Sequence, residues 1–120
     1  MERQRIGQNA EGAAVRFLES QGLTILLRNF RRRLGELDIV ARAGDILVIA
    51  EVRTRSSERF GGAAASVDAR KQGKLLRAAA QLLQQRKDLA KCKVRFDVIV
   101  VHRPSSREPQ VEWIKHAFAA

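Results

Sequence analysis

The chain has 120 residues, 45% apolar and 30% charged, which fits one globular domain rather than a disordered chain. No apolar run approaches the roughly 20 residues that span a bilayer, and the opening MERQRIGQNAEG lacks the apolar stretch of a secretion signal. A cytoplasmic domain with no membrane association is therefore expected. The excess of 23 Lys and Arg over 13 Asp and Glu gives a formal net charge of +10, a field that attracts phosphate polyanions; nucleic acid, above all DNA, is the expected partner. A solubility surface, or contact with an acidic partner, would carry the same charge. The one cysteine, Cys92, has no partner for an internal disulfide, and no Cys/His metal spacing is present.

In chain order, Ile6, Ala10, Ala13, Phe17 and Leu18 recur at helical spacing over residues 2–21, and Gly22 fits just past the end as a cap. LTILLRNF, residues 23–30, is a short β-rich run, and RRRLG after it reads as a basic turn. Residues 36–41 and 46–53 are apolar runs on either side of RAGD, the pattern of a hairpin. The Gly/Ala-rich stretch SSERFGGAAA reads as a mobile connection. Ser66 is the expected cap of a second helix reaching about Arg86, with Asp68 in its first turn and an apolar stripe of Leu75, Leu76, Ala79, Leu82 and Leu83. VRFDVIVV is a further strand, HRPSSREPQ a loop, and VEWIKHAF a final edge strand. The order α-β-β-β-α-β-β predicts a single α/β domain, a mixed sheet with helices on both faces.

GELDIVARAGDILVIAEVRTR places three carboxylates inside otherwise apolar strands. With Ala43-Gly44 at the turn centre, Glu36 faces Glu51 and Asp38 faces Ile49. Side-chain alternation then directs Glu36, Asp38, Glu51 and Arg53 to one face. Opposed carboxylates repel and are costly to bury unpaired, so positive charge belongs between them. Oxygen-only ligation suits Mg²⁺ or Mn²⁺; neighbouring basic side chains forming an ion-pair network would answer the same need.

GELDIVA followed by ILVIAEVRTR resembles the GE-x-D … EVKTR pattern of the YraN family of small bacterial proteins. That family is similar to the PD-(D/E)xK nucleases, including archaeal Holliday-junction resolvases. The resemblance extends over nearly the whole chain: the first helix with Glu11, the hairpin, the GG…K helix and the RFDVI strand. It implies a restriction-endonuclease-like domain over residues 1–120 and metal-dependent cleavage of structured DNA or RNA. Asp38 and Glu51 would then hold the metal, with Glu11 completing the site and Glu36 as an auxiliary group. Arg53 stands at the position of the superfamily's lysine. Arginine stays protonated and cannot act as a general base, but it can stabilise developing phosphoryl charge. Lys71, at the start of the second helix, is the candidate for the missing amine, and Gln72 beside it for the wall of the site. A fold retained for nucleic-acid binding without turnover is the alternative, and junction resolvases imply a homodimer.

Arg31, Arg32 and Arg33 flank the carboxylate strand, and Lys71, Lys74 and Arg55 extend the expected nucleic-acid-binding surface. Phe30 is expected in the core, Trp113 in the core or facing a partner, Asp97 in a structural pair with a basic residue, and His102 and His116 on the surface.

Overall fold

The computed structural model describes residues 2–55 and 66–119; the expected connection over 56–65 lies outside them. Helix α1 runs Glu2–Ser20 and is followed by strands β1 Thr24–Arg32, β2 Gly35–Ala43 and β3 Ile46–Arg55. Helix α2 spans Ala69–Gln85, and after a short 3₁₀ turn at Lys87–Leu89 come β4 Lys93–His102 and β5 Gln110–Phe118. The five strands form one sheet in sequence order, antiparallel throughout except for the parallel pair β3–β4. This is the mixed α/β sheet expected from the element order, with α2 serving as the crossover that a parallel pair requires.

Alternation along the strands divides the core into two layers. Ile39, Ala41, Val48, Ala50, Ile99 and Val101 pack with Ala10, Ala13, Ala14 and Leu18 of α1. Leu37, Val40, Leu47, Ile49 and Phe96 pack with Leu75, Ala78, Ala79 and Leu82 of α2. Each fully buried aliphatic side chain contributes about 1.5–3 kcal/mol, so the apolar strands need both helices. Helix α1 ends as expected. Gly22, at φ +90°, lets its own N–H reach Glu19 O (3.0 Å) and the Leu23 N–H reach Leu18 O (3.1 Å), satisfying two terminal carbonyls.

Several expectations shift. The cap of α2 is Asp68, not Ser66: its Oδ1 accepts from the Lys71 N–H at 2.8 Å. The buried stripe is Leu75, Ala78, Ala79 and Leu82, while Leu76 turns outward. The basic turn after β1 shrinks to Arg33-Leu34, because Arg31 and Arg32 remain paired with Glu36 and Gly35. His102 is fully buried instead of superficial, since it ends β4 between β3 and β5 with Nε2 3.4 Å from Glu112 Oε1. His116 is exposed as expected. Trp113 faces the α1 layer, edge-on to Phe17 at 5.8 Å between ring centroids. Phe30 is buried, with the Arg32 guanidinium 4.0 Å above its ring.

The register of the β2–β3 hairpin also differs. Its central residues are Gly44-Asp45, so Ala43 pairs with Ile46 and Ile49 faces Val40, not Asp38. The cause is local: Gly44 adopts φ +62°, the left-handed conformation that a tight hairpin matching strand twist demands at its first central position. Arg42 Nε donates to Gly44 O at 2.8 Å and ties the turn.

Candidate functional site

The site is built where the sheet forks. The β2–β3 ladder begins at its turn and ends at the pair Ile39↔Ala50. Beyond it, β2 continues with β1 through Leu37, Glu36 and Gly35, while β3 continues with β4 as far as Arg55↔His102. Leu37 packs in the α2 layer and Ile39 in the α1 layer, although only one residue separates them. Regular alternation would put them on the same face, so the strand turns over at Asp38. Across the ribbon Asn29 takes φ 54°, a conformation that asparagine tolerates better than most residues. The β1–β2 arm is thus twisted against the rest of the sheet about Asn29 and Asp38.

At this fork Asp38 replaces a backbone acceptor. Its Oδ2 accepts from the Val52 N–H at 2.9 Å, a donor that the parted ladder has left without a carbonyl of β2. The Glu51 carboxyl meets it there, close enough to bear on its protonation. Burial pushes the Asp38 carboxyl up from 3.8 to about 7; the hydrogen bond to Glu51 and that group's negative charge add to the rise, while the Val52 N–H and the Lys71 ammonium oppose it. Two carboxylates this close disfavour joint ionisation, so Asp38 holds its proton more tightly than a free carboxyl does.

Glu51 is buried, and positive charge reaches it from the α2 side. Lys71 Nζ stands 3.3 Å from Glu51 Oε2, and Arg53 Nη2 stands 3.9 Å from the same oxygen. Glu51, Arg53, Thr54, Asp68 and Lys71 line an open cleft beside the start of α2. Asp38 lines a separate hollow of about 350 Å³ under α1, shared with Glu11, Asn29, Arg31 and Thr54. Val52 borders both spaces. The two carboxyls therefore touch at the junction of two cavities, one on each side of the sheet.

The remaining residues singled out in the sequence are placed differently. Glu11 shares the hollow with Asp38, but its Oε1 is occupied by Arg28 Nε at 2.9 Å and Asn29 Nδ2 at 3.0 Å. Glu36 lies out on the arm, its side chain half-exposed and 3.3 Å from Arg31 Nε. The strand turnover at Asp38 is what separates it from Glu51. Among the described residues no three His, Cys, Asp or Glu side chains converge as a metal cage. Gln72 turns its side-chain amide to Val67 O at 2.7 Å, so it braces the entry to α2. Arg31, Arg32, Arg33, Lys71 and Lys74 share a surface hollow at the tip of the arm, whereas Arg55 lines another with Arg103 and Pro104.

Asp97 is buried in a structural set. It takes two 2.9 Å bonds from the Arg95 guanidinium, one of 2.8 Å from Trp113 Nε1 and one of 3.0 Å from the His116 N–H. It fastens β5 to β4, across the irregularity between Phe96 and Val98 in their pairing.

Sequence reasoning missed Asn29, and a signal was available: an asparagine interrupts a β-rich run directly before the arginines, and asparagine is the usual non-glycine choice for positive φ. No helix among the described residues is long and apolar enough to cross a membrane.

Comparison with known proteins matches residues 10–101 to the model of a family described as "Uncharacterised protein family UPF0102". A UPF0102 protein of Nitrosomonas europaea is 49% identical over 116 residues, covering 93% of this chain and 92% of the relative. Others from Pseudomonas savastanoi and Methylobacillus flagellatus are each 45% identical, covering 97% of this chain and 94% and 98% of their own lengths. The matched span contains the fork, both carboxylates and Lys71, and the chain belongs to UPF0102, the YraN family whose motif its hairpin carries.

Proposed function

We propose that this protein is a metal-dependent endonuclease, a restriction-endonuclease-like domain that hydrolyses phosphodiester bonds of structured DNA or RNA. The observation that carries this reading is the contact between the Asp38 and Glu51 carboxyls with Lys71 Nζ 3.3 Å from Glu51. The donor set fits Mg²⁺ or Mn²⁺. Both are hard cations satisfied by one or two carboxylates with water and substrate phosphate completing the shell, and a cation between two carboxyls would relieve the repulsion that now retains a proton. Asp38 and Glu51 would hold the ion. When bound, it would supply Lewis acidity at the phosphoryl oxygen and lower the pKa of a coordinated water.

The chain's own groups have separate tasks. Lys71, in the first turn of α2, places a positive charge at a helix N-terminus, where phosphate oxygens are favoured. Arg53 adds a fixed cation on the same side of Glu51 to stabilise charge developing on the phosphoryl group. Arg31, Arg32, Arg33 and Lys74 position the nucleic-acid backbone beside the cleft, and Arg55 borders the site on its other flank.

Cleavage of branched, single-stranded and duplex substrates in Mn²⁺ tests the reading, with Glu51→Ala beside the natural protein. Metal-dependent cleavage lost in Glu51→Ala supports it. Absence of cleavage on every substrate, or cleavage indifferent to Glu51→Ala, overturns it. The second reading, a nucleic-acid-binding module without turnover, is favoured by Arg53 in the place of the superfamily lysine and by the engagement of Glu11 with Arg28 and Asn29. It predicts salt-sensitive binding with no cleavage in the same experiment.

A further inference from the structure

The tip of the β1–β2 arm breaks a local rule. Its two turn residues are Arg33 and Leu34, closed by the pair Arg32↔Gly35. Tight hairpin turns favour glycine, asparagine or aspartate at these places. Neither residue takes a positive φ. Leu34 is 47% exposed, the most exposed large apolar side chain among the described residues. Departures of sequence from local preference concentrate at functional positions.

The tip is also braced. A Cβ on Gly35 would lie 2.6 Å from Lys74 O, so the arm is in backbone contact with α2. Arg32 Nη2 donates to Gln85 of α2 at 2.7 Å, and its guanidinium caps the Phe30 ring. Arg31 and Glu36 pair across the arm just behind the tip. Around Leu34, the hollow is lined by Arg31, Arg32, Arg33, Lys71 and Lys74; Lys71 also lines the cleft at Glu51.

We propose that Leu34 is a wedge that inserts between stacked bases of a nucleic acid held on this basic surface, and so selects substrates with an easily opened step, such as branch points. Leucine is among the apolar side chains that unstack base steps. Opening one carries a cost, and a rigidly supported side chain is suited to impose it. The arginines and lysines around it hold the backbone while the leucine contacts bases. This division separates affinity from opening. The proposal rests on the nucleic-acid reading of the site and adds the residue that would read its geometry.

The test uses the full chain, without added metal, and a four-way DNA junction carrying 2-aminopurine at the branch point. Its fluorescence rises when the base is unstacked. The natural protein should raise the signal several-fold; Leu34→Ala should remove most of that rise, Leu34→Met should keep it, and affinity for single-stranded DNA should stay within about twofold in both. A rise undiminished in Leu34→Ala, or an equal loss of single-strand binding, overturns the wedge while leaving the nucleic-acid reading intact. Failure of the natural protein to bind any nucleic acid at low salt overturns both. Melting temperatures unchanged between the variants exclude misfolding as the cause.

Discussion

The Asp38 carboxyl lies against that of Glu51, which helps it keep its proton, and its Oδ2 accepts the Val52 N–H at 2.9 Å. The first prediction follows from that proton. The folded Asp38 carboxyl titrates at about 7 against 3.8 for its ordinary value. Below the lower value both folded and unfolded chains carry the proton, and nothing is lost. Between the two only the folded chain binds it, so stability falls as pH rises through this window, by up to about 4 kcal/mol. Asp38→Asn, which mimics the protonated acid, should flatten this slope and exceed the natural protein in stability at pH 8. Metal-free urea denaturation at pH 5 and 8 checks it. Equal slopes in both proteins would mean that Asp38 does not hold the proton.

Under the proposed function, a divalent cation would compete for the same place. Mn²⁺ should raise the melting temperature at pH 8 by several degrees and much less at pH 5.5, where the proton occupies the pair. Asp38→Asn should lose most of the shift. Thermal melts with and without Mn²⁺ at both pH values measure it, and a shift retained in the variant would locate the ion elsewhere.

Lys71→Ala removes the amine 3.3 Å from Glu51. Metal-dependent cleavage should fall about 100-fold, the scale of losing one charge-stabilising group. Duplex binding should weaken only a few-fold. Single-turnover cleavage and anisotropy titrations separate the two effects, and undiminished cleavage removes Lys71 from the mechanism.

Asp97 carries a different load. Asp97→Ala strands a partly buried guanidinium, an indole N–H and a backbone N–H, a loss of about 1–3 kcal/mol for the donors left unpaired. Asp97→Asn, which keeps an acceptor, should cost less. Guanidinium chloride denaturation of both ranks them; an alanine variant as stable as the natural protein would show that β5 is fastened by its ladder alone.

Gly35→Ala pushes a methyl group to 2.6 Å from Lys74 O. Because Cβ is fixed rigidly to its own chain and Lys74 O belongs to the backbone, neither can swing aside, and the arm must move away from α2, at a cost of about 1–3 kcal/mol. Amide exchange over β1 and β2 should quicken selectively at the tip. Uniform protection would mean that the arm needs no such seat.

Much of this architecture was legible in the sequence. Helical spacing in α1, Gly22 past its end, three successive strands and the crossover through α2 follow from apolar period and turn chemistry, because each is decided within a few neighbouring residues. The hairpin register was less legible. Centring the turn on Ala43-Gly44 or on Gly44-Asp45 preserves side-chain parity, so the hydrophobic pattern accepts either; only the backbone angle of Gly44 decides. For the site, parity brought Asp38 and Glu51 together on paper. It also brought Glu36, because nothing in period-two alternation reveals that a strand turns over at one residue. The occupied state of Glu11 was hidden for another reason, since its partners Arg28 and Asn29 are distant in the chain and charge alone does not assign them. His102 was misjudged because a histidine ending an apolar strand is read as leaving the sheet, whereas strands on both sides enclose it.

The fork itself has a consequence for how such a protein can change over generations. Were Asp38 and Glu51 both replaced by valine, the seam between β2 and β3 could close past Ile39 and Ala50, gaining main-chain bonds and apolar contact where the chain now spends them on two acids. Selection for durability alone would heal that opening. As it stands, the open seam forgoes bonds that a tighter sheet would make.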